Sequence, residues 1–540
     1  MGLRARNSLS FGAAALAISV MSGSLAMAES APLERDILIF PGMSSSATLP
    51  AGGFLAATGQ QQGNLSGSGG TGNQLYHHQL EYGLTDRVQI GATVQRFEDP
   101  VPIAGGNPDV GIRGISGQVA YKFLDTPNLR MTLRGSVEQY EFRSQFWNSR
   151  NDDERFIGSV HLPVTVRLND ALEIHGSAGV SVFPDAINGV QFYGVVPQVG
   201  IGASYRASER LSFYGLVNVP FGDNGNSISD SGAIRNVPVW AVGGSFNVTP
   251  KAALDLYVGN GLGATPATQI LTFFPGGDDL VVGARLTYTP GQGPGYRPNY
   301  RGITGPTTKR QKRLALHSQI ITPADTLDPG TVQIFGNYGQ KEFGSGGSYF
   351  SPDHDIQVGV IVGRYANDGS VPATAFSSTG TQANIAAKLR FLDQNNGSPF
   401  SLSGNFVAGR DINSRVGSLL LSMPASYQFN DRFAVVAEPQ FAASGNTRIR
   451  AMGFGANFEL FDGFDLIGEA KVVDGGNGHV WSAGARYSLD AVPVTFDVQA
   501  TNAIGNAGYG SVIAQDSTRF SAGFHIALDG KPIWNRLIGR

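Results

Sequence analysis

Between Gln79 and Gln95 apolar and polar positions alternate. Leu80, Tyr82 and Leu84 share one side of an extended strand, opposite Gln79, Glu81 and Gly83. After Thr85-Asp86, Val88, Ile90, Ala92 and Val94 take the apolar side, against Arg87, Gln89, Thr93 and Gln95. Period-2 alternation across a short polar turn predicts a hairpin. Its apolar face packs on a second sheet in a soluble sandwich. In an outer-membrane barrel it faces lipid, and the polar face lines a lumen.

Loop lengths separate the two readings. From Thr48 to Thr289 the pattern repeats in about a dozen segments, near the ~9–11 residues of a tilted spanning strand. Short turns fall at Thr85-Asp86, Asp125 to Asn128, Asn169-Asp170, Ala207 to Glu209 and Thr249-Pro250. Longer polar loops alternate with them: Gln60 to Asn73, Glu98 to Val110, Glu141 to Arg155, Asp185 to Gly189, Phe221 to Asn236 and Asn260 to Asp278. Short turns on one rim and long loops on the other predict an all-β transmembrane antiparallel barrel.

The second half repeats the first. Val88-Gln89-Ile90-Gly91 returns as Ile356-Gln357-Val358-Gly359, and Phe123-Leu124-Asp125 as Phe391-Leu392-Asp393. Leu162-Pro163 before Asn169-Asp170 returns as Met423-Pro424 before Asn430-Asp431. Val239-Trp240 matches Val480-Trp481, and Asp255 with Asn260 matches Asp497 with Asn502. In the second half's second strand, Ser348 to Pro352 reads as short. Two closures fit: one barrel of about 24 strands, or two tandem barrels of about 12. The Gly-, Pro- and Arg/Lys-rich stretch from Pro290 is anomalous as a turn within one barrel but natural between two, so two are expected. The domains are then 1–28 signal peptide, 29–290 first barrel, 291–324 periplasmic linker and 325–540 second barrel. The linker's Arg297, Arg301, Lys309, Arg310, Lys312 and Arg313 read as a solvated basic run, or as a contact for anionic head groups or polysaccharide.

Composition narrows the function. Glycine is 73 of 540 residues and charged residues only 15%, against roughly 7% and 25% in average chains. A mean hydropathy of -0.07 suits alternating faces that average out. The net charge of -3 gives no ground for nucleic-acid binding. Arg4 and Arg6, the apolar run Phe11 to Met21 and Ala26-Met27-Ala28 read as an export signal that takes the chain out of the cytoplasm, and with the barrel pattern the expected destination is the Gram-negative outer membrane. Its partners would be outer-membrane lipid, the barrel-insertion machinery, and small solutes or polysaccharide.

With no cysteine, thiol chemistry and disulfides are excluded. There is no G-x-S-x-G elbow, H-E-x-x-H motif or P-loop, and neither a cofactor nor enzymatic activity is expected. Residues on the lumen side are Arg87, Arg130, Arg134, Arg167, Glu173, Asp255, Lys388, Arg390, Arg486 and Asp497. They serve either to fill a closed structural barrel by pairing or to line a small hydrophilic eyelet. Arg167 and Glu173 read as cross-strand neighbours. Trp240, Phe246, Trp481 and Tyr487 fall on the apolar side near strand ends, as membrane-interface aromatics do.

Leu80-Glu81-Tyr82-Gly83-Leu84-Thr85-Asp86-Arg87 resembles the strand-turn-strand of MetA-like outer-membrane transporters. The strand openings Leu49-Pro50-Ala51-Gly52-Gly53 and Leu327-Asp328-Pro329-Gly330-Thr331, with the duplication, resemble the YjbH-like double-barrel proteins associated with exopolysaccharide. That resemblance implies a polysaccharide-secretion or surface-matrix role, and the architecture as a whole is read as a passive channel or a polysaccharide-export-associated component. The alternative is a closed barrel whose extracellular loops bind surface partners.

Overall fold

A computed structural model describes residues 39–529 apart from 64–73, 101–108, 145–148, 230, 274–275, 290–299, 301–305, 341–342, 366–367, 372–379, 413–415, 446, 475–477 and 490–491. The export signal and linker residues Arg297 and Arg301 lie outside the described residues.

The first half forms strands β1 (Phe54–Gln62), β2 (Gln74–Gly83), β3 (Val88–Pro100), β4 (Asp109–Asp125), β5 (Leu129–Ser144) and β6 (Ser149–Arg167). They continue as β7 (Leu172–Val182), β8 (Val195–Arg206), β9 (Leu211–Pro220), β10 (Val239–Thr249), β11 (Ala252–Gly259) and β12 (Val281–Tyr288). Neighbours pair antiparallel, and β1 pairs with β12 from Ala56 opposite Tyr288 to Gln62 opposite Val282, closing a barrel of twelve strands.

The second half repeats the design. It runs through β13 (Thr331–Gly339), β14 (Gly344–Asp353), β15 (Ile356–Arg364), β16 (Thr381–Leu392) and β17 (Ser401–Asp411). Strand β18 is split into Gly417–Ser422 and Ala425–Gln428. The remainder are β19 (Phe433–Ser444), β20 (Thr447–Phe461), β21 (Phe464–Val473), β22 (Val480–Ser488), β23 (Val494–Ala503) and β24 (Ala514–Asp529). Pairing of β13 with β24 closes this ring. Pro424 interrupts β18, and the β5–β6 ladder breaks beside its counterpart Pro163. Proline has no N–H to give the ladder.

The faces follow the alternation. In the β2–β3 hairpin Glu81, Gln89, Thr93 and Gln95 are buried inside the barrel, whereas Leu80, Tyr82, Ile90 and Val94 are exposed outside. The second barrel likewise exposes Val360, Phe454, Leu466 and Val498. This apolar exterior identifies both as outer-membrane-type barrels. Ile201, 60% exposed midway along β8, provides a test. Ile201→Arg is expected to cost about 2–4 kcal/mol at the bilayer midplane, read as the urea midpoint in vesicles. An unchanged midpoint would put this face in water.

The outer faces of the barrels touch near their short-turn rims. Phe246, Val248, Leu254 and Leu286 pack with Ile356, Val358, Leu389 and Phe391. Lys251 Nζ stands 3.5 Å from Asp353, and Tyr288 Oη donates to the Pro352 carbonyl at 3.3 Å.

Three expectations need correction. Residues 141–144 and 149–155, read as loop, continue β5 and β6. The second strand of the second half has ten residues, not a short stretch. The stretch from Arg310 is not a solvated linker: Arg310, Arg313 and residues 315–324 lie inside the second barrel, held by wall side chains, while Lys309 and Lys312 stay exposed as expected.

Candidate functional site

Ile39 to Leu49 has no strand period and fills the first lumen. Its entry is fixed where Gly52 N–H bonds the Gly83 carbonyl on the short-turn rim. Gly52 takes φ +73 there, a left-handed conformation open to glycine without Cβ strain. Wall side chains then hold the segment mainly by its backbone. Arg285 donates to the Ile39 carbonyl at 2.7 Å, beside its own ion pair with Asp255 at 3.1 Å. Asn218 donates to Gly42 O at 3.0 Å, Thr132 to Ser46 O at 2.6 Å, and Arg134 to Ser45 O at 2.7 Å and Ala47 O at 2.5 Å. Gln89 Oε1 accepts the Leu49 N–H at 2.7 Å. Phe40 sits between His175 and Tyr214, at ring distances of 4.8 and 5.5 Å.

The second lumen holds a second stopper on the same path, displaced by 278 residues. Arg486 donates to the His317 carbonyl, as Arg285 does to Ile39. Lys388 donates to Pro323 O at 3.1 Å and Asp325 O at 2.5 Å, as Arg134 does to Ser45 and Ala47. Gln357 accepts from Leu327 N–H at 3.3 Å, as Gln89 does from Leu49. Ser403 donates to Ala324 O, as Thr132 does to Ser46. The gripped backbone atoms are the same; the gripping residues keep their type at the arginine and the glutamine, though Arg285 and Arg486 stand on different strands, and change from arginine to lysine and from threonine to serine at the other two.

This stopper carries an ionic addition. A short helix, Lys309–Leu314, is capped by Thr308 and Gln311 in a reciprocal box. It presents Arg310 to Asp465 and Arg313 to Glu459. Arg310 also donates to Asn457 Oδ1 at 2.5 Å. Asp465 is fully buried, and both arginines are nearly so. Beyond the helix, Glu469 accepts Ser318 Oγ and the N–H groups of Ile320 and Ile321, and Glu438 accepts the Thr322 N–H.

A loop closes each barrel from the long-loop rim. In the first, a 3-10 turn at Thr268–Ile270 enters the lumen. Glu138 there accepts Thr265 Oγ1 at 2.5 Å and the Ala267 N–H at 2.7 Å. Phe97, Tyr140, Phe142, Phe192, Ile270 and Phe273 form an apolar seal around it. In the second, Gly508–Val512 does the same, and Ser511 accepts Lys471 Nζ at 2.9 Å. Each loop starts at an equivalent asparagine: Asn260 Oδ1 accepts the Trp240 N–H and Asn502 Oδ1 the Trp481 N–H. On the second barrel's rim Asp368 accepts from Ser370 and from the Ser517 N–H at 2.9 Å. Slight burial works to raise its pKa, but these hydrogen bonds outweigh it and hold the carboxyl well below the usual carboxylate range.

The residues singled out from sequence fall into distinct places. Arg134, Asp255, Lys388, Arg486 and Asp497 stand at the stoppers; Asp497 meets Arg486 at 2.7 Å and His525 at 2.5 Å. Arg390 is buried against Asp355 at 2.8 Å and Asp393 at 3.0 Å. Arg130 and Asp125, 3.5 Å apart, and Arg167 and Glu173, 3.2 Å apart, pair near the short-turn rim. Arg87 is exposed in a turn and lines no lumen, because the β2–β3 turn spans Leu84 to Arg87 rather than two residues. Trp240 and Trp481 are exposed on the outer face at the long-loop ends of β10 and β22. Tyr487 is exposed near the other end of β22. Phe246 instead meets Phe391 of the other barrel at 6.3 Å, with the Arg210 guanidinium 4.7 Å from its ring. Sequence reasoning missed Arg285, Glu459, Asp465 and both stoppers. The Thr308-x-x-Gln311 spacing was the one available signal for the inserted helix.

No protein-family profile and no curated protein matches the chain in sequence. Among solved structures the chain is similar to the KdgM porin, with 8% identity and a TM-score of 0.28 over 43% of this chain and 98% of that one. It is similar to the NanC porin, with 9% identity and a TM-score of 0.28 over 44% and 98%. The siderophore receptor PirA from Pseudomonas aeruginosa matches at 8% identity and TM-score 0.25, over 89% of this chain and 81% of that one. At such scores the likeness goes no further than barrel architecture.

Proposed function

We propose that the protein is a twin-barrel conduit of the Gram-negative outer membrane, exported through its N-terminal signal and inserted by the barrel-assembly machinery. Both lumens are closed at rest by detachable segments. The observation that carries this reading is the repeated grip on equivalent stopper backbone atoms in both lumens. Across the duplication, closure was kept and so was the gripping chemistry: cationic donors, a glutamine acceptor and a hydroxyl donor. The grip combines hydrogen bonds and ion pairs that water can replace with apolar packing, of Phe40 and Met43 in the first lumen and of Leu316, Ile320 and Ile321 in the second. On withdrawal Arg134 and Arg285, or Lys388, Glu438, Glu469 and Arg486, would line a hydrophilic eyelet suited to small polar solutes. A link to exopolysaccharide export rests only on the resemblance of the strand openings.

Planar-bilayer recording tests the reading. The intact protein is expected to be silent or to open rarely. A variant lacking residues 40–47 together with the inward turn at 263–271, which closes the same lumen from the long-loop rim, is expected to conduct in steady steps through the first lumen. Silence from that variant, once insertion is verified by protease protection, would overturn the conduit. It would favour closed barrels that act through their outer loops, a reading supported by the apolar seal of Phe97, Phe142, Phe192 and Phe273.

A further inference from the structure

The second stopper places His317 where the first has Ile39, at the carbonyl gripped by an arginine. The imidazole stacks on Phe335 of β13 at 4.9 Å and lies 6.0 Å from Tyr349 of β14. Phe335 in turn faces His525 of β24 at 6.1 Å. The other charged groups facing His317 are Arg486 on β22, Asp497 on β23 and Lys388 on β16. Arg486 and Asp497 pair through contacts of 2.7 and 3.1 Å, and Asp497 also meets His525 at 2.5 Å. Lys388 is bound to the stopper's Pro323 and Asp325 carbonyls. Asp497, the one carboxylate facing His317 among the described residues, is thus already engaged, and His317 Nε2 meets no protein acceptor.

A neutral imidazole suits this place, as a flat ring laid on aromatic side chains. An imidazolium does not, because it would be a buried cation beside Arg486 with no counterion of its own. The cation–π attraction of Phe335 returns less than that burial costs. In water the same imidazole takes up a proton near pH 6.5. We propose that His317 makes the second stopper an acid-released gate, seated while the imidazole is neutral and withdrawn when it is charged. Seating is therefore at full strength above about pH 6.5 and weakens as pH falls below it. The first stopper has no such trigger. Residues 39–49 carry no titratable side chain. His175, the wall histidine touching Phe40, has both ring nitrogens on hydroxyls, which accept as well as donate. The proposal names a trigger for the conduit above and rests on that reading for what release achieves, not for release itself.

Hydrogen exchange of the full chain in detergent, corrected for the intrinsic pH dependence of exchange, tests it. The Ile320 and Ile321 amides, which donate to Glu469 only while the stopper is seated, are the reporters. Their protection is expected to be constant above about pH 7 and to fall about tenfold for each pH unit below 6.5, as release coupled to one proton requires. His317→Gln should flatten the profile. So should His317→Phe, which keeps the stack on Phe335 without a titratable nitrogen. Both variants retain Glu469, so any slope that its carboxylate contributes would persist in them. His525→Gln, which leaves the stopper unchanged, should keep the slope. The Leu49 amide of the first stopper should show none. Heat-modifiable gel mobility reports whether each variant is folded. A flat profile in the parent, a slope retained in the folded His317 variants, or a parallel fall at Leu49 would overturn the proposal. Because exchange needs no open lumen, acid release without conductance would reject the conduit and keep the gate. Conductance without acid release would do the reverse.

Discussion

Replacing Arg310 and Arg313 together by leucine is expected to lower the stability of the second barrel by about 3–5 kcal/mol, the scale for orphaning a buried charge. Asp465, fully buried, and Glu459 would lose their main counterions, and no solvent stands near Asp465 to replace them. Removing the acids as well, with Asp465→Asn and Glu459→Gln in the same chain, should recover most of the loss, because the penalty comes from the unpaired charge rather than the missing pair. Denaturant midpoints in detergent read both effects. If the double leucine variant matched the parent, the helix at 309–314 would not be seated in the lumen.

Arg134→Leu is expected to loosen the first stopper and cost roughly 3 kcal/mol, from two charge-assisted hydrogen bonds to buried carbonyls. Ser45 O and Ala47 O lose their donor, and Glu81 loses its nearest cation, 4.0 Å away. Glu81 keeps amide donors in Gln79, Gln89 and Gln118, so the barrel wall should survive while the stopper frays. Hydrogen exchange distinguishes the two. Amides of residues 42–49 should lose protection, whereas those of β4 and β5 should not. Loss of protection throughout the barrel would make Arg134 part of the wall rather than of the grip.

The barrels were legible because burial enforces parity. From Gln79 to Gln95 each side chain is committed to one face, and a shift by one residue would turn Leu80 and Ile90 into the lumen. The barrel followed from alternating loop lengths and its duplication from copies such as Gln89 and Gln357, while closure as two rings rather than one rested on the length of the stretch from Pro290. The stoppers were not legible, for the same physical reason. Their grip is from side chain to backbone, and a carbonyl at Ser45 or Pro323 leaves no mark on residue type. Arg310 and Arg313 looked like a solvated run because their partners, Asp465 and Glu459, lie about 150 residues away on β20 and β21. Arg285 was missed because the duplicated acid changes partner. Asp255 pairs with the following strand's Arg285, whereas Asp497 pairs with the preceding strand's Arg486.

Occupancy of the lumen by a detachable segment is the claim on which the account turns, and the absence of cysteine from the chain permits a clean measurement. Ser46 Oγ lies 2.6 Å from Thr165 Oγ1 across the first lumen, close enough for the roughly 3.5–4.5 Å Cβ separation of a disulfide. Ser46→Cys with Thr165→Cys, oxidised in the inserted protein, is predicted to cross-link nearly completely and to hold the first barrel silent, with openings regained on reduction. Failure of the pair to cross-link in folded, inserted protein would place residues 39–49 outside the lumen and contradict the account.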